Sequence, residues 1–135
     1  MLEAYSKSVT IPANSSAPFT NVFLTKGDTS EMQGDATILF NKCGVYRVSF
    51  NASVIASAAG EISFQLFKNS MQQTQAEVSE TAADTTSIHA LNFETLVQVP
   101  KSNNGCPCSI PTVISINNTG VAVSGDVHIV VDKIV

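Results

Sequence analysis

The sequence contains no tryptophan, only two tyrosines and two histidines, and its charged residues make up 13% of the chain. It has 7 basic and 11 acidic residues, so the formal net charge is -4. Proteins that bind nucleic acid carry clustered basic residues that neutralise phosphates. This composition therefore argues against nucleic acid as a partner.

Motifs that carry catalysis or hold cofactors are also missing. The sequence shows no Ser/His/Asp order, no His-x-x-x-His spacing and no glycine-rich phosphate loop. His89 and His128 lie in separate strand-like runs, where isolated histidines are usually surface residues. We therefore predict a protein that is not an enzyme and uses no cofactor or metal.

The sequence also shows no targeting signal and no membrane-spanning segment. The start, Met1-Leu2-Glu3-Ala4-Tyr5, has no basic segment followed by an apolar run, so no secretory signal is predicted. No apolar stretch approaches the length of a membrane span. These features predict a protein that is made in the cytoplasm and is not inserted into a membrane.

The sequence does contain repeated alternation of apolar and polar residues, the pattern of a strand with one buried face. Turn residues separate these runs at the spacing typical of a β-sandwich. A chain of 135 residues is enough to enclose one core. We predict an all-β antiparallel sandwich of about eight to ten strands that forms a single domain over residues 1–135. The predicted strand regions are 8–11, 19–24, 37–40, 46–54, 62–66, 72–79, 91–99, 111–117 and 123–131, with a strand end and loop over 77–86.

Three segments, residues 41–50, 62–69 and 93–99, resemble the tumour-necrosis-factor and complement globular-head jelly roll. In that superfamily a Gly-x-Tyr-x-x-x-Phe strand follows a tight turn, and a strand ending in Leu-x-x-Asn comes next. An apolar strand, here 127–135, closes the chain. The resemblance covers nearly the whole sequence and implies a jelly roll that assembles as a trimer and has no catalytic chemistry.

Residues 5–14, 41–46 and 106–108 are also similar to small proteins of phages and prophages of Gram-positive bacteria, which look like capsid decoration or head-fibre components. This similarity implies a homotrimer on the outside of a virion, with the major capsid protein as its partner. The chain departs from the superfamily in having fewer aromatic residues and no collagen-like stalk. The alternative function is a receptor- or carbohydrate-binding adhesion head whose partner is a host cell-surface glycan.

The cysteines suggest a link at one end of the sandwich. Cys43 precedes a strand, while Cys106 and Cys108 flank Pro107 in the loop after the strand that ends at Val99. Jelly-roll strand order would bring that turn and that loop together. Three interpretations stay open: reduced or packed thiols, one disulfide from Cys43 worth about 2–4 kcal/mol, or a three-thiolate zinc site. Zinc normally takes four ligands, and neither histidine is close in sequence.

The acidic residues near the middle of the chain, Glu77, Glu80 and Asp84, fit either a cation site or a solvated turn. The surface has few charges to guard its edge strands, which favours association. Three strand regions, 44–55, 88–99 and 121–135, carry apolar residues on both faces, so one face is predicted to meet the threefold axis. The candidates for that interface are Tyr46, Val48, Leu91 and Phe93 on one face, and Leu96, Val130 and Ile134 on the other.

Overall fold

In a computed structural model, residues 1–27, 29–100 and 112–135 form two five-stranded antiparallel sheets that pack face to face as a jelly-roll sandwich. The first sheet has the order β2-β1-β10-β5-β8 and the second the order β3-β4-β9-β6-β7. The strands of the first sheet are β1 (Leu2–Ile11), β2 (Asn21–Thr25), β5 (Gly44–Ala56), β8 (Ile88–Val99) and β10 (Val123–Lys133). Those of the second are β3 (Ser30–Gln33), β4 (Thr37–Phe40), β6 (Gly60–Lys68), β7 (Met71–Ala82) and β9 (Thr112–Asn118).

Strand β5 shows how the sequence pattern becomes structure. Its even-numbered residues from Tyr46 to Ala56 are buried, while the residues between them are exposed or half-buried. Since side chains alternate across a strand, this pattern places one face of β5 in the core and the other outside. β5 pairs along its length with β10 on one side and β8 on the other, and these three strands form the middle and one edge of the first sheet.

The hydrophobic core lies between the two sheets. The ring of Phe50 on β5 packs against Phe64 on β6 at 5.1 Å between centroids, against Phe93 at 5.4 Å, and edge-on against Phe19 at 6.3 Å. Aromatic clusters of this kind add to the stabilisation that apolar burial supplies. The cluster therefore ties the inner faces of both sheets together.

The predicted all-β sandwich is confirmed, with ten strands in the described residues. The predicted strand over 37–40 matches β4, whereas β1 begins at Leu2, six residues before the predicted start. β3 was not predicted, because Ser30–Gln33 contains a single apolar residue, Met32, and shows no alternation. The segment over 77–86 continues as strand through Ala82 and then turns, as predicted. Among the described residues, no helix is long and apolar enough to cross a membrane.

Candidate functional site: the outer face of the first sheet

Large apolar side chains are exposed mainly on one side of the sandwich. Among the described residues nine are exposed, and only Met71 belongs to the second sheet. The others lie on the first sheet or directly beside its strands. Large exposed apolar areas mark interaction surfaces more often than scattered single residues do. These eight residues are Met1, Val22, Phe23, Leu24, Ile88, Leu96, Ile134 and Val135.

The structure shows which of the two predicted interface faces is free, and it corrects part of the prediction. Tyr46, Val48 and Leu91 are buried in the core of the single chain, so they are not available to a second chain. Phe93 lies on the same inner face and packs on Phe50. The Tyr46 hydroxyl is also bonded inside the chain, donating at 2.6 Å to the carbonyl of Lys42. The prediction was wrong for these residues because alternation separates the two faces of a strand but does not show which face lies in the core.

The remaining candidates, Leu96, Val130 and Ile134, are accessible on the outer face. Leu96 is 55% exposed and Ile134 39% exposed, while Val130 is half-buried. Backbone hydrogen bonds place Ile134 beside Val45, whose side chain is also half-buried. Val130 lies opposite Ser49 and Leu96 opposite Arg47 in the strand register. We call Val45, Leu96, Val130 and Ile134 the apolar end of the outer face.

The middle of the same face contains a hollow of about 500 Å³. One row of paired residues crosses it over four strands, since Tyr5 lies opposite His128, His128 opposite Asn51, and Asn51 opposite Asn92. Phe23 from the edge strand β2 also lines it. A volume of this size is within the range of about 300–1,000 Å³ that small-molecule sites occupy.

Two irregularities in strand pairing, one in β2 and one in β1, lie beside this hollow. Leu24 pairs with Glu3 and Val22 with Ala4, which leaves Phe23 between them without a partner on β1. A second shift of register, between Ser6 and Val9, interrupts the pairing of β1 with β10. Bulges of this kind redirect side chains and bend the strand. Phe23 is 70% exposed beside the hollow because β2 is an edge strand whose residues are all exposed.

Several polar groups converge on the hollow. His128 Nε2 lies 3.1 Å from Glu3 Oε2, and Asp126 Oδ1 accepts a hydrogen bond of 2.9 Å from the Ser8 backbone N–H. The side-chain amides of Asn51 and Asn92 make no hydrogen bond to any other described residue. An amide group can both donate and accept. The hollow thus combines held carboxylates with free amides and one exposed aromatic ring.

The cysteine prediction is answered only for Cys43. Gly44 at the start of β5 pairs with Val99 at the end of β8, so Cys43 lies beside the point where the chain leaves β8, as the jelly-roll order predicted. Cys43 is disulfide-bonded, and a disulfide sulfur is not the thiolate that zinc requires. Cys106 and Cys108 lie outside the described residues, so the pairing itself stays a prediction.

The acidic residues Glu80 and Asp84 bind different partners. Glu80 Oε1 lies 2.8 Å from His89 Nδ1 and so links edge strands β7 and β8. Asp84 Oδ1 accepts hydrogen bonds from the backbone N–H groups of Ser87 at 2.9 Å and Thr86 at 3.1 Å, which lower the pKa of its carboxyl group. In the described part of the chain no group of three acidic, histidine or cysteine side chains is placed to hold a metal ion.

Sequence reasoning missed the residues of the hollow. Phe23 falls in the predicted strand over 19–24, and it was not among the candidate site residues. A usable signal was present, because Val22, Phe23 and Leu24 are three consecutive apolar residues, and a strand with one buried face cannot bury all of them. Asn51 and Asn92 carried no local signal, since they become neighbours only through strand pairing.

No protein-family profile matches the sequence, and no curated protein matches it by sequence. Solved structures do match it by fold. The PRD1 vertex protein P5 superposes with a TM-score of 0.62 at 18% identity, covering 99% of this chain and 96% of that one. The Eiger TNF of S. frugiperda gives 0.65 at 12% identity, covering 99% and 92%. Murine APRIL gives 0.64 at 10% identity, covering 97% and 98%.

These likenesses extend over nearly the full length of each partner and establish the fold as the tumour-necrosis-factor-like jelly roll. They confirm the jelly-roll fold that the resemblance drawn from the sequence implied. At identities of 18% and below, these likenesses show the fold alone. The function of this chain is therefore argued from its own surface features.

Proposed function

We propose that this chain is a non-enzymatic head that assembles as a homotrimer on the exterior of a virion, of the capsid decoration or head-fibre type. The observation that carries the proposal is the concentration of exposed apolar side chains on the first sheet. A side chain such as Leu96, which is 55% exposed in the single chain, would lose contact with water in an assembly.

The positions of these residues favour a closed ring. β2 and β8 are the two edges of the first sheet, and each carries exposed apolar residues, Val22 and Phe23 on one edge and Ile88 and Leu96 on the other. A ring uses two different patches on each subunit, so that one edge of a chain meets the other edge of its neighbour. The number three is what the sequence resemblance to trimeric jelly rolls implies.

The virion location is supported by the fold shared with PRD1 vertex protein P5, a phage protein. The apolar end of the outer face would lie at subunit contacts, and the polar outer face of the second sheet would remain in water. The major capsid protein is the partner that we propose for attachment.

Assembly can be measured by light scattering coupled to size-exclusion chromatography. The wild-type chain should elute at three times the mass of one chain at micromolar concentration. Leu96→Lys places a second positive charge opposite Arg47, its cross-strand neighbour, and should shift the mass to that of one chain, because a buried unpaired charge is costly. Met71→Lys is the matched control, since Met71 lies opposite Lys68 and is 69% exposed on the other sheet, and it should remain trimeric.

A single-chain mass for the wild type would contradict the trimer, and equal effects of both variants would contradict the assigned face. The location requires a separate experiment. Antibodies against the chain should label the outside of intact particles in immunogold electron microscopy. Labelling found only on cell debris would contradict a virion surface protein.

A further inference from the structure

We infer that assembly of the head is coupled to proton uptake by His128, so that the trimer is more stable in mild acid than at neutral or alkaline pH. The inference rests on the proposed function, because it takes the outer face of the first sheet as the contact between copies of the chain. Three observations support it: the central position of His128 on that face, its contact with Glu3, and the excess of carboxylates around it.

His128 lies at the centre of the face that the trimer would bury. Its strand, β10, is the middle strand of the first sheet, and His128 is at the middle of the 11 residues of that strand. The apolar edges that we propose as subunit contacts lie on either side, with Phe23 on β2 and Leu96 on β8. In a closed ring the face between two such contacts turns towards the axis, so His128 loses contact with water there.

The imidazole of His128 is already close to a carboxylate of its own chain. Its Nε2 lies 3.1 Å from Glu3 Oε2, and the two side chains are 37% and 30% exposed. Histidine is the side chain that ordinarily changes charge between about pH 5 and 8. A protonated His128 forms an ion pair with Glu3, whereas a neutral one offers a hydrogen bond and leaves the charge of the carboxylate uncompensated.

The charges around the hollow give this proton uptake its direction. Apart from His128, the charged residues that line the hollow are Glu3, Asp126 and Lys7, so each chain has one negative charge in excess while His128 is neutral. The lining residues from β2, β5 and β8 are uncharged, and Tyr5 contributes a phenol, which is uncharged in the neutral range. One proton on His128 cancels the excess.

The rest of the outer face adds to the same imbalance. Arg47 Nε lies 3.0 Å from Glu94 Oε1, so these two charges compensate each other. Asp132, opposite Arg47 in the register of β10 and β5, adds a further negative charge. Three copies that meet around an axis bring these like charges together where water is partly removed, and their repulsion is stronger there than in water.

Burial in the trimer therefore favours the protonated imidazole of His128. A state that binds protons more tightly than the separate chains is stabilised in acid, and this stabilisation is lost as the pH rises and the proton leaves. The trimer should accordingly dissociate more readily as the pH rises from mildly acidic to mildly alkaline.

Subunit exchange measures how readily the trimer dissociates. Unlabelled and heavy-isotope-labelled chains are mixed, and native mass spectrometry follows the mixed trimers that form. Exchange should be about tenfold slower at about pH 5.5 than at about pH 7.5, because a more stable contact dissociates more slowly. His128→Gln cannot take up a proton, and it should exchange at the alkaline rate of the wild type at both pH values.

The second histidine provides the matched control, since the chain contains two. His89 also contacts a glutamate, with its Nδ1 2.8 Å from Glu80 Oε1. It lies opposite the buried Val54, on the inner side of the first sheet and away from the proposed contact. His89→Gln should therefore keep the difference between the two pH values. Glu3→Gln removes the excess negative charge and should slow exchange at the higher pH.

Trimers that exchange equally fast at both pH values, or faster in acid, would overturn the inference and leave the proposed trimer intact. A pH dependence that persists in His128→Gln would also overturn it, since another group would then bind the proton. Single-chain masses in every sample would overturn the proposed trimer itself, and this inference with it.

Discussion

The two sheets of the sandwich are alike on their inner faces and different on their outer faces. Inside, both contribute large apolar side chains, such as Phe50 from the first and Phe64 from the second, which meet at 5.1 Å. Outside, the first sheet carries the hollow and the apolar end, whereas the second carries mainly polar side chains beside the half-buried Leu39, Phe67 and Val113. That polar set includes Ser63, Gln65, Glu77, Ser79 and Asn117.

Several outer polar groups of the second sheet are hydrogen-bonded within the chain. Ser63 is buried and accepts a hydrogen bond of 2.8 Å from the Thr119 hydroxyl. Asn117 Oδ1 accepts one of 2.7 Å from the Ser16 hydroxyl. A surface whose polar groups are already paired or hydrated gains little by binding another molecule. Folding requires only the inner faces to be apolar. The exposed apolar side chains of the first sheet therefore indicate a surface that contacts another molecule.

The largest expected effect compares how much a phenylalanine on the inner face and one on the outer face contribute to the free energy of unfolding. Phe50→Ala should lower the free energy of unfolding by about 3–5 kcal/mol, since it removes a buried ring that contacts three others. Phe23→Ala should change it by less than about 0.5 kcal/mol. Urea unfolding followed by circular dichroism measures both.

If Phe50→Ala is too unstable to purify, Phe50→Leu provides a smaller change at the same position. Equal destabilisation by Phe23→Ala and the Phe50 variant would mean that the outer ring also supports the fold. The division between inner and outer faces would then be wrong at Phe23.

A medium effect is expected at a link between the sheets. Asn118 on β9 is fully buried, and its amide donates to the carbonyls of Val121 at 2.9 Å and of Ile11, at the end of β1, at 3.1 Å. Asn118→Ala removes this buried amide donor from both carbonyls and should cost about 1–3 kcal/mol. Thermal and urea unfolding report the change.

The adjacent residue is the control for this prediction. Asn117 makes a single side-chain hydrogen bond at the surface, so Asn117→Ala should cost less than about 0.5 kcal/mol. Similar losses from both variants would contradict a special role for the buried amide in joining β9 to the end of β1.

The smallest effect concerns the turn that connects the edge strands of the two sheets. Hydrogen bonds from the backbone of Ser87 and Thr86, and from the Ser87 hydroxyl, lower the pKa of Asp84 below its ordinary value of 3.8. A carboxyl group with a lowered folded pKa stabilises the fold above its unfolded pKa, and this contribution is lost as the pH falls through the folded pKa. Wild type should therefore be slightly more stable than Asp84→Asn at neutral pH, and the difference should vanish in acid.

Unfolding by urea at a series of pH values from neutral to acid measures this difference. Ser87→Ala removes the hydroxyl donor and should reduce the pH dependence. A difference between wild type and Asp84→Asn that stays constant across the series would show that the charge of Asp84 makes no contribution to the turn.

Much of the fold could be predicted from the sequence, because alternation is a local property of a strand. The run from Tyr46 to Val54 has a period of two, and no other regular structure buries such a pattern on one face. The position of Cys43 beside the end of β8 followed from strand order in the resembling superfamily. β3 escaped prediction because its four residues carry no pattern and gain their structure from pairing with β4.

What the sequence by itself determined is therefore the strand content, the sandwich and the lack of catalytic motifs. Tertiary structure alone decided which side of each strand is inside, since Leu91 and Leu96 are both leucines on β8 and only packing of the second sheet covers Leu91. It also decided the hollow, because Tyr5, His128, Asn51 and Asn92 are far apart in sequence and share a row only after four strands pair. The local sequence pattern determines which residues alternate along a strand. Long-range pairing of strands determines which residues of different strands become neighbours on one surface.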